Sequence, residues 1–288
     1  MTSTFDRRLT PARPDLAAEH LRGVVESDRY VAGEAMRVIE EVVDLREEPR
    51  RDCPLDSQVL FGEPIDVYDT DEEGWAWGQS RSDGYVGYLP AAALARLVSP
   101  ASHRARAPRT FVYPAASMKQ PVVMALPMNA RARVVATRGD FSELADGGFV
   151  WSGHLAPDDI FEADFVAVAE RFLNAPYLWG GKTFAGLDCS GLVQVSLHAA
   201  GIAAPRDTDM QAKGTGVEIP AGDDLRGLRR GDLVFWKGHV GIMRDAETLL
   251  HANGHHMLVA SEPLREARDR IAAKFFGAIT GVRRLQAG

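Results

Sequence analysis

The 288-residue chain is 45% hydrophobic and 25% charged, the proportions of a globular protein, which excludes a disordered or low-complexity chain. Its formal net charge of -7 disfavours polyanion binding, and Arg104, Arg106 and Arg109 are too few for the basic stripe of a nucleic-acid binder. No apolar run approaches the roughly 18–20 residues of a membrane span, and the length points to about two or three domains.

The first 21 residues include Asp6, Arg7, Arg8, Arg13, Asp15 and Glu19 and contain no apolar core of a secretory signal. A cytoplasmic location is the resulting expectation. Pro14-Asp15 followed by Ala17, Ala18, Leu21, Val24 and Val25 has helical spacing, with Asp15 as N-cap, and predicts a helical lead-in over residues 1–35.

Residues 36–99 change character. Val42–Leu45, Ser57–Phe61, Ile65–Tyr68 and Trp75–Trp77 are short apolar or alternating runs, separated by Gly62, Pro64, Gly74 and Asp83-Gly84. Strands of this length and spacing predict a small all-β barrel. Cys53, between Asp52 and Pro54 with no histidine nearby, reads as a surface or linker residue.

Residues 100–157 repeat the layout in weaker form, with β runs at Phe111–Tyr113, Ala132–Ala136, Phe141 and Gly148–Trp151. Asp83–Pro90 and Gly147–Pro157 correspond loosely, so two barrels in tandem are expected, joined by the Ala- and Arg-rich stretch Ser99–Pro108. The remainder, 158–288, mixes helical runs (Phe161–Leu173, Cys189–Ala200) with strand runs (Leu233–Trp236, His239–Met243, Thr248–Ala252), an α+β pattern.

The chemistry concentrates here. Cys189 in Asp188-Cys189-Ser190-Gly191 opens a predicted helix, where free N–H groups and the dipole favour a thiolate and are expected to lower the thiol pKa. A thiol nucleophile needs a base and a group that orients the base. His239 and His251 lie on consecutive predicted strands whose spacing suits a hairpin with both rings on one face. Zinc would compete for such a set, but Cys189 has no close-spaced second ligand, and His255-His256 read as an exposed turn. No metal and no cofactor are expected.

Five motifs occur in order: Tyr177-Leu178-Trp179-Gly180-Gly181, Asp188-Cys189-Ser190-Gly191-Leu192, Arg230-Gly231-Asp232-Leu233, Gly238-His239-Val240-Gly241 and Leu250-His251-Ala252. Together they resemble the NlpC family of papain-like cell-wall peptidases. The resemblance implies a papain-like catalytic domain preceded by two SH3-like barrels. It also implies Cys189 as nucleophile, His239 as base, His251 as orienting residue and Tyr177 beside the oxyanion. The barrels narrow it to endopeptidases that cut γ-D-glutamyl to meso-diaminopimelate (or L-Lys) bonds in murein stem peptides with a free N-terminal L-alanine, in cell-wall recycling. The implied substrate-binding residues are Asp188, Ser190, Trp179, Arg206, Asp207 and Thr208, with Glu63 and Tyr85 from the first barrel. Stem peptides are the expected partners, with no nucleic acid and no membrane. An amidase or acyltransferase on the same scaffold, or a non-catalytic peptide-binding protein, are the alternatives.

Overall fold

The computed structural model describes residues 5–220, 225–274 and 276–285. It divides into two compact units, Met1–Asp158 and Asp159–Gly288. Among the described residues no helix is long and apolar enough to cross a membrane.

The N-terminal unit is almost entirely β. Its first sheet has seven strands in the order Leu55–Leu60, Val42–Arg46, Val86–Pro90, Trp75–Ser80, Pro64–Thr70, Glu34–Val38, Leu94–Arg96, every pairing antiparallel. Alternate residues of these strands, among them Val43, Leu45, Val59, Ile65 and Leu89, fill one core, as expected for a sheet with one dry face. A second set of strands between His103 and Pro157 forms a five-stranded and a three-stranded sheet around Val112, Leu126, Leu144 and Val150. Phe61, which precedes the turn at Gly62, packs into this second core. The backbone N–H of Arg131 bonds to its carbonyl at 2.8 Å.

Two expectations fail in this unit. The segment before Glu34 is not an α-helix: it holds two-residue strands at Ala17–Ala18 and Tyr30–Val31 and a single 3-10 turn at Glu19–Leu21, and the residues before Phe5 lie outside the described ones. The reason is tertiary. Leu16, Ala17 and Ala18 are fully buried, and Leu16 joins Trp77 and Val86 in a satellite cluster. Arg13 holds the strap in place, its guanidinium 4.5 Å from the Trp77 ring centroid and 2.6 Å from Asp69. Burial against a barrel face outweighs helix spacing in a segment this short. Cys53, expected at the surface, is buried and unpaired.

The C-terminal unit is α+β. One antiparallel sheet runs in the order Val217–Ile219, Gly281–Arg284, Asp232–Trp236, His239–Met243, Thr248–Asn253, Leu258–Pro263. The helices are α1 (Phe165–Glu170), α2 (Cys189–Ala199), α3 (Thr208–Gly214) and α4 (Leu264–Lys274). Helix α1 is shorter than the apolar run suggested, because Asp164 caps it, accepting from the N–H groups of Val166 and Ala167. Helix α2 is buried over nearly its whole length and lies against the adjacent strands His239–Met243 and Thr248–Asn253. That packing brings the start of α2 to the strands that carry both histidines.

Candidate active site

The helix start is built by a buried ion pair. Asp188 is the N-cap of α2: its Oδ1 accepts the Gly191 N–H at 2.7 Å and the Ser190 hydroxyl at 3.2 Å, and its Oδ2 accepts the Gly180 N–H at 2.9 Å. Arg206 closes on both oxygens at 3.0 and 2.7 Å while also reaching the Ser190 hydroxyl and the Gly181 carbonyl. The loops are pressed so close that a Cβ on Gly191 would stand 2.2 Å from the Gly181 carbonyl oxygen, which explains the glycine there.

Asp188, Ser190 and Arg206 were expected to read substrate. In the structure they build the helix start. The Asp188 carboxylate is filled by donors, Arg206 is 1% exposed, and the group works as scaffold for the nucleophile's helix turn. A buried guanidinium needs such a partner, because its desolvation otherwise goes uncompensated.

Cys189 is the first residue of α2, and its Sγ lies 3.7 Å from the Thr208 hydroxyl. His239 and His251 stand on adjacent antiparallel strands with rings on the same face, as their spacing predicts. His239 Nε2 is 2.8 Å from His251 Nδ1. The close fit needs a glycine at 241, where a Cβ would meet Leu249 at 2.7 Å and His251 Cβ at 3.2 Å. The His239 ring is flanked by Trp236 and stacked on Phe276 at an interplanar angle of 18°.

Cys189, His239, His251, Tyr177 and Trp179 line one cavity of about 620 Å³, with Arg270, Lys274 and His255 on its wall. All residues lining it belong to the C-terminal unit. Glu63 and Tyr85 lie in the N-terminal unit and are buried there. Glu63 accepts the Leu60 N–H at 2.8 Å within a turn, and Tyr85 packs in the first barrel core. Both side chains thus contribute to the packing of that unit. Asp207 is half-buried at the N-cap position of α3, and its side chain makes no capping bond to that helix.

Electrostatics correct one more expectation. Burial pushes the Cys189 thiol up, Asp188 adds to this, and the bonds from Thr208 and the Val240 backbone only partly oppose it. Burial likewise pushes His239 well below the usual histidine range, and His251 too is lowered by burial. Desolvation therefore outweighs the helix dipole. On these directions, thiolate formation depends on passing the thiol proton to a base. Burial also raises the Tyr177 hydroxyl, which stays a hydrogen-bond donor.

The same shifts predict acid lability. Unfolded histidines bind protons below about pH 6.5, whereas folded His239 and His251 resist protonation. The unfolded state therefore binds more protons, and stability falls as pH drops below that value, by about 1.4 kcal/mol per pH unit for each histidine. Calorimetry at pH 5.5 in two buffers of different ionisation enthalpy should register uptake of about two protons on unfolding of the C-terminal unit. No uptake would contradict neutral burial.

Sequence reading missed Glu262. Its Oε1 lies 2.7 Å from His251 Nε2 and 2.6 Å from Arg270 Nη2, and the second Arg270 nitrogen bonds Oε2. Glu262 sits on the neighbouring strand opposite Leu249, two residues from His251 on the same face. That diagonal distance is within reach of a long side chain.

A buried thiol at a helix start, facing sheet-borne histidines across a cavity, is the arrangement of a papain-like thiol hydrolase. Residues 174–271 match the NlpC/P60 family, and residues 45–94 match the bacterial dipeptidyl-peptidase SH3 domain. The C-terminal unit thus carries an NlpC/P60 cysteine-peptidase domain, preceded by a bacterial SH3 domain of the dipeptidyl-peptidase type. Among curated proteins, a gamma-D-glutamyl-L-lysine dipeptidyl-peptidase of Bacillus subtilis is 37% identical over 97 residues, 31% of each chain. Dipeptidyl-peptidase 6 of Lysinibacillus sphaericus is 30% identical over 100 residues, 35% of each chain. The aligned part thus spans about a third of these relatives. A crystal structure of an NlpC/P60 family protein from Bacillus cereus superposes with a TM-score of 0.72 at 19% identity, covering 88% of this chain and all of that one. The two share a fold.

Proposed function

We propose that the protein hydrolyses the γ-D-glutamyl to diamino acid bond, meso-diaminopimelate or L-Lys, of murein stem peptides with a free N-terminal L-alanine, as a step of cell-wall recycling. The observation that carries this reading is the shared cavity of Cys189 and His239, with the Nε2 of His239 already engaged by His251. The Nδ1 of His239 then remains for the thiol. The substrate class is supported by the names of the partial relatives, gamma-D-glutamyl-L-lysine dipeptidyl-peptidases.

In this reading Cys189 Sγ attacks the γ-carbonyl carbon as its proton passes to His239. The oxyanion is met by the Cys189 N–H at the helix start and by the Tyr177 hydroxyl; one such donor is typically worth about 3–4 kcal/mol of barrier. His239 returns the proton to the leaving amine of the diamino acid, and water then cleaves the thioester, His239 acting again as base. Arg270, Lys274 and His255 on the cavity wall suit the carboxylates of an acidic peptide. Asp207, next to Thr208, is the residue we assign to the substrate ammonium, with Trp179 as an apolar wall of the cavity.

The discriminating experiment offers L-Ala-γ-D-Glu-diaminopimelate and its N-acetylated form to the purified protein. Cleavage of the free amine with loss of at least about 100-fold in kcat/KM on acetylation is expected, because acetylation removes the cationic donor that a site built for an ammonium reads. Equal cleavage of both would remove free-amine recognition.

A further inference from the structure

We infer that Glu262 is a positioning residue that fixes the proton on each of the two active-site histidines and thereby leaves His239 Nδ1 as the base. The inference rests on the reading of Cys189 as nucleophile and His239 as its base.

Three consecutive contacts carry it: Arg270 Nη2 to Glu262 Oε1 at 2.6 Å, Glu262 Oε1 to His251 Nε2 at 2.7 Å, and His251 Nδ1 to His239 Nε2 at 2.8 Å. Burial alone would raise the Glu262 carboxyl, but the bonds from His251 and Arg270 outweigh it and hold it well below the usual carboxylate range. A carboxylate only accepts. The proton between Glu262 and His251 is therefore on His251 Nε2. His251 is fully buried, and burial keeps it neutral, so its Nδ1 holds a lone pair. His239 Nε2 must then be the donor in the next contact. With His251 neutral, one arrangement satisfies all three bonds, and in it the bare nitrogen of His239 is Nδ1.

Arg270 has a matching task. A lone carboxylate at this distance would draw a second proton onto His251. A cationic His251 would donate from both nitrogens, force His239 Nε2 to accept, and leave His239 Nδ1 protonated. The guanidinium, bonded to both carboxylate oxygens, offsets the charge that would cause this. Two further histidines face this carboxylate more weakly: His256, whose Nδ1 stands 4.0 Å from Glu262 Oε1, beyond a hydrogen bond, and His255, which feels it only through its charge. Once His239 gains its proton during attack, the Glu262 charge one ring away steadies the imidazolium.

The test follows alkylation of Cys189 by iodoacetamide between pH 5 and 9, read by mass spectrometry of the Cys189 peptide so that Cys53 does not interfere. Wild type, His239→Ala, Glu262→Gln and Glu262→Asp are compared. Glu262→Gln should slow alkylation roughly 100-fold or more at pH 7, in the manner of a triad whose acid is neutralised. Glu262→Asp, which keeps the charge, should recover most of the rate. If His239→Ala alkylates like wild type, the nucleophile–base reading fails. If His239→Ala is slow while Glu262→Gln keeps the wild-type rate and pH profile, the Glu262 inference is overturned. Imidazole nitrogen NMR of the wild-type protein decides the same point without a variant. Both rings should carry their proton on Nε2, and a proton on Nδ1 of either ring at pH 7 would refute the assignment.

Discussion

Cys189→Ala should lower kcat by at least about 10⁴-fold while leaving the melting temperature near that of wild type. Removing the nucleophile of a thiol or serine hydrolase takes away the covalent route altogether, and about 10⁴ corresponds to roughly 5.4 kcal/mol of barrier. Folding is affected little because the bonds of Sγ, to the Thr208 hydroxyl at 3.7 Å and to the Val240 backbone, are weak sulfur contacts, and the substitution removes a single sulfur from the wall of a cavity. Stem peptide should still bind the variant, since none of the groups assigned to its ammonium or carboxylates is altered. Titration of Cys189→Ala with substrate by calorimetry checks this. A variant that neither binds nor melts like wild type would show that Cys189 is structural.

Arg206→Met should do the opposite, destabilising the C-terminal unit by about 3–5 kcal/mol and lowering its melting temperature by on the order of 10 °C or more. The two side chains are 1% and 10% exposed, and the Asp188 carboxylate would be left buried without its cation. Because Asp188 also caps α2 and anchors the Gly180 N–H, the loss spreads to the turn that carries Cys189. Asp188→Asn keeps an oxygen for the N-cap and removes the stranded charge. The double variant Asp188→Asn/Arg206→Met should therefore be more stable than Arg206→Met alone, a non-additivity expected of residues in contact. Thermal unfolding followed by circular dichroism measures all three. An Arg206→Met protein that melts with wild type would refute the scaffold role.

Much of the site was legible in the chain. Asp188 before an apolar helical run marked the start of α2, and the interval between His239 and His251 marked a hairpin with both rings on one face. These signals are local, and local geometry sets them. What stayed hidden depends on neighbours distant in sequence. Leu258–Pro263 reads Leu-Val-Ala-Ser-Glu-Pro, with too little alternation to announce a strand, so Glu262 could not be placed beside His251. The thiol's direction of shift was misread for a related reason. A helix N-terminus can be read from sequence, whereas the burial of Cys189 and His239 arises only when α2 meets the sheet. The N-terminal strap shows the same limit: its helical spacing is real, yet Trp77 and Asp69 of the barrel decide its shape. Glu63 and Tyr85 followed from resemblance alone; within the N-terminal unit Glu63 accepts a backbone N–H in a turn and Tyr85 joins the core.

Acid quench of the reaction during its first turnover, followed by mass spectrometry, addresses the catalytic claim at its centre. A covalent L-Ala-D-Glu acyl group should appear on the peptide containing Cys189 and vanish as product forms. Product release with no adduct on Cys189, or an adduct on Cys53 in its place, would contradict the account.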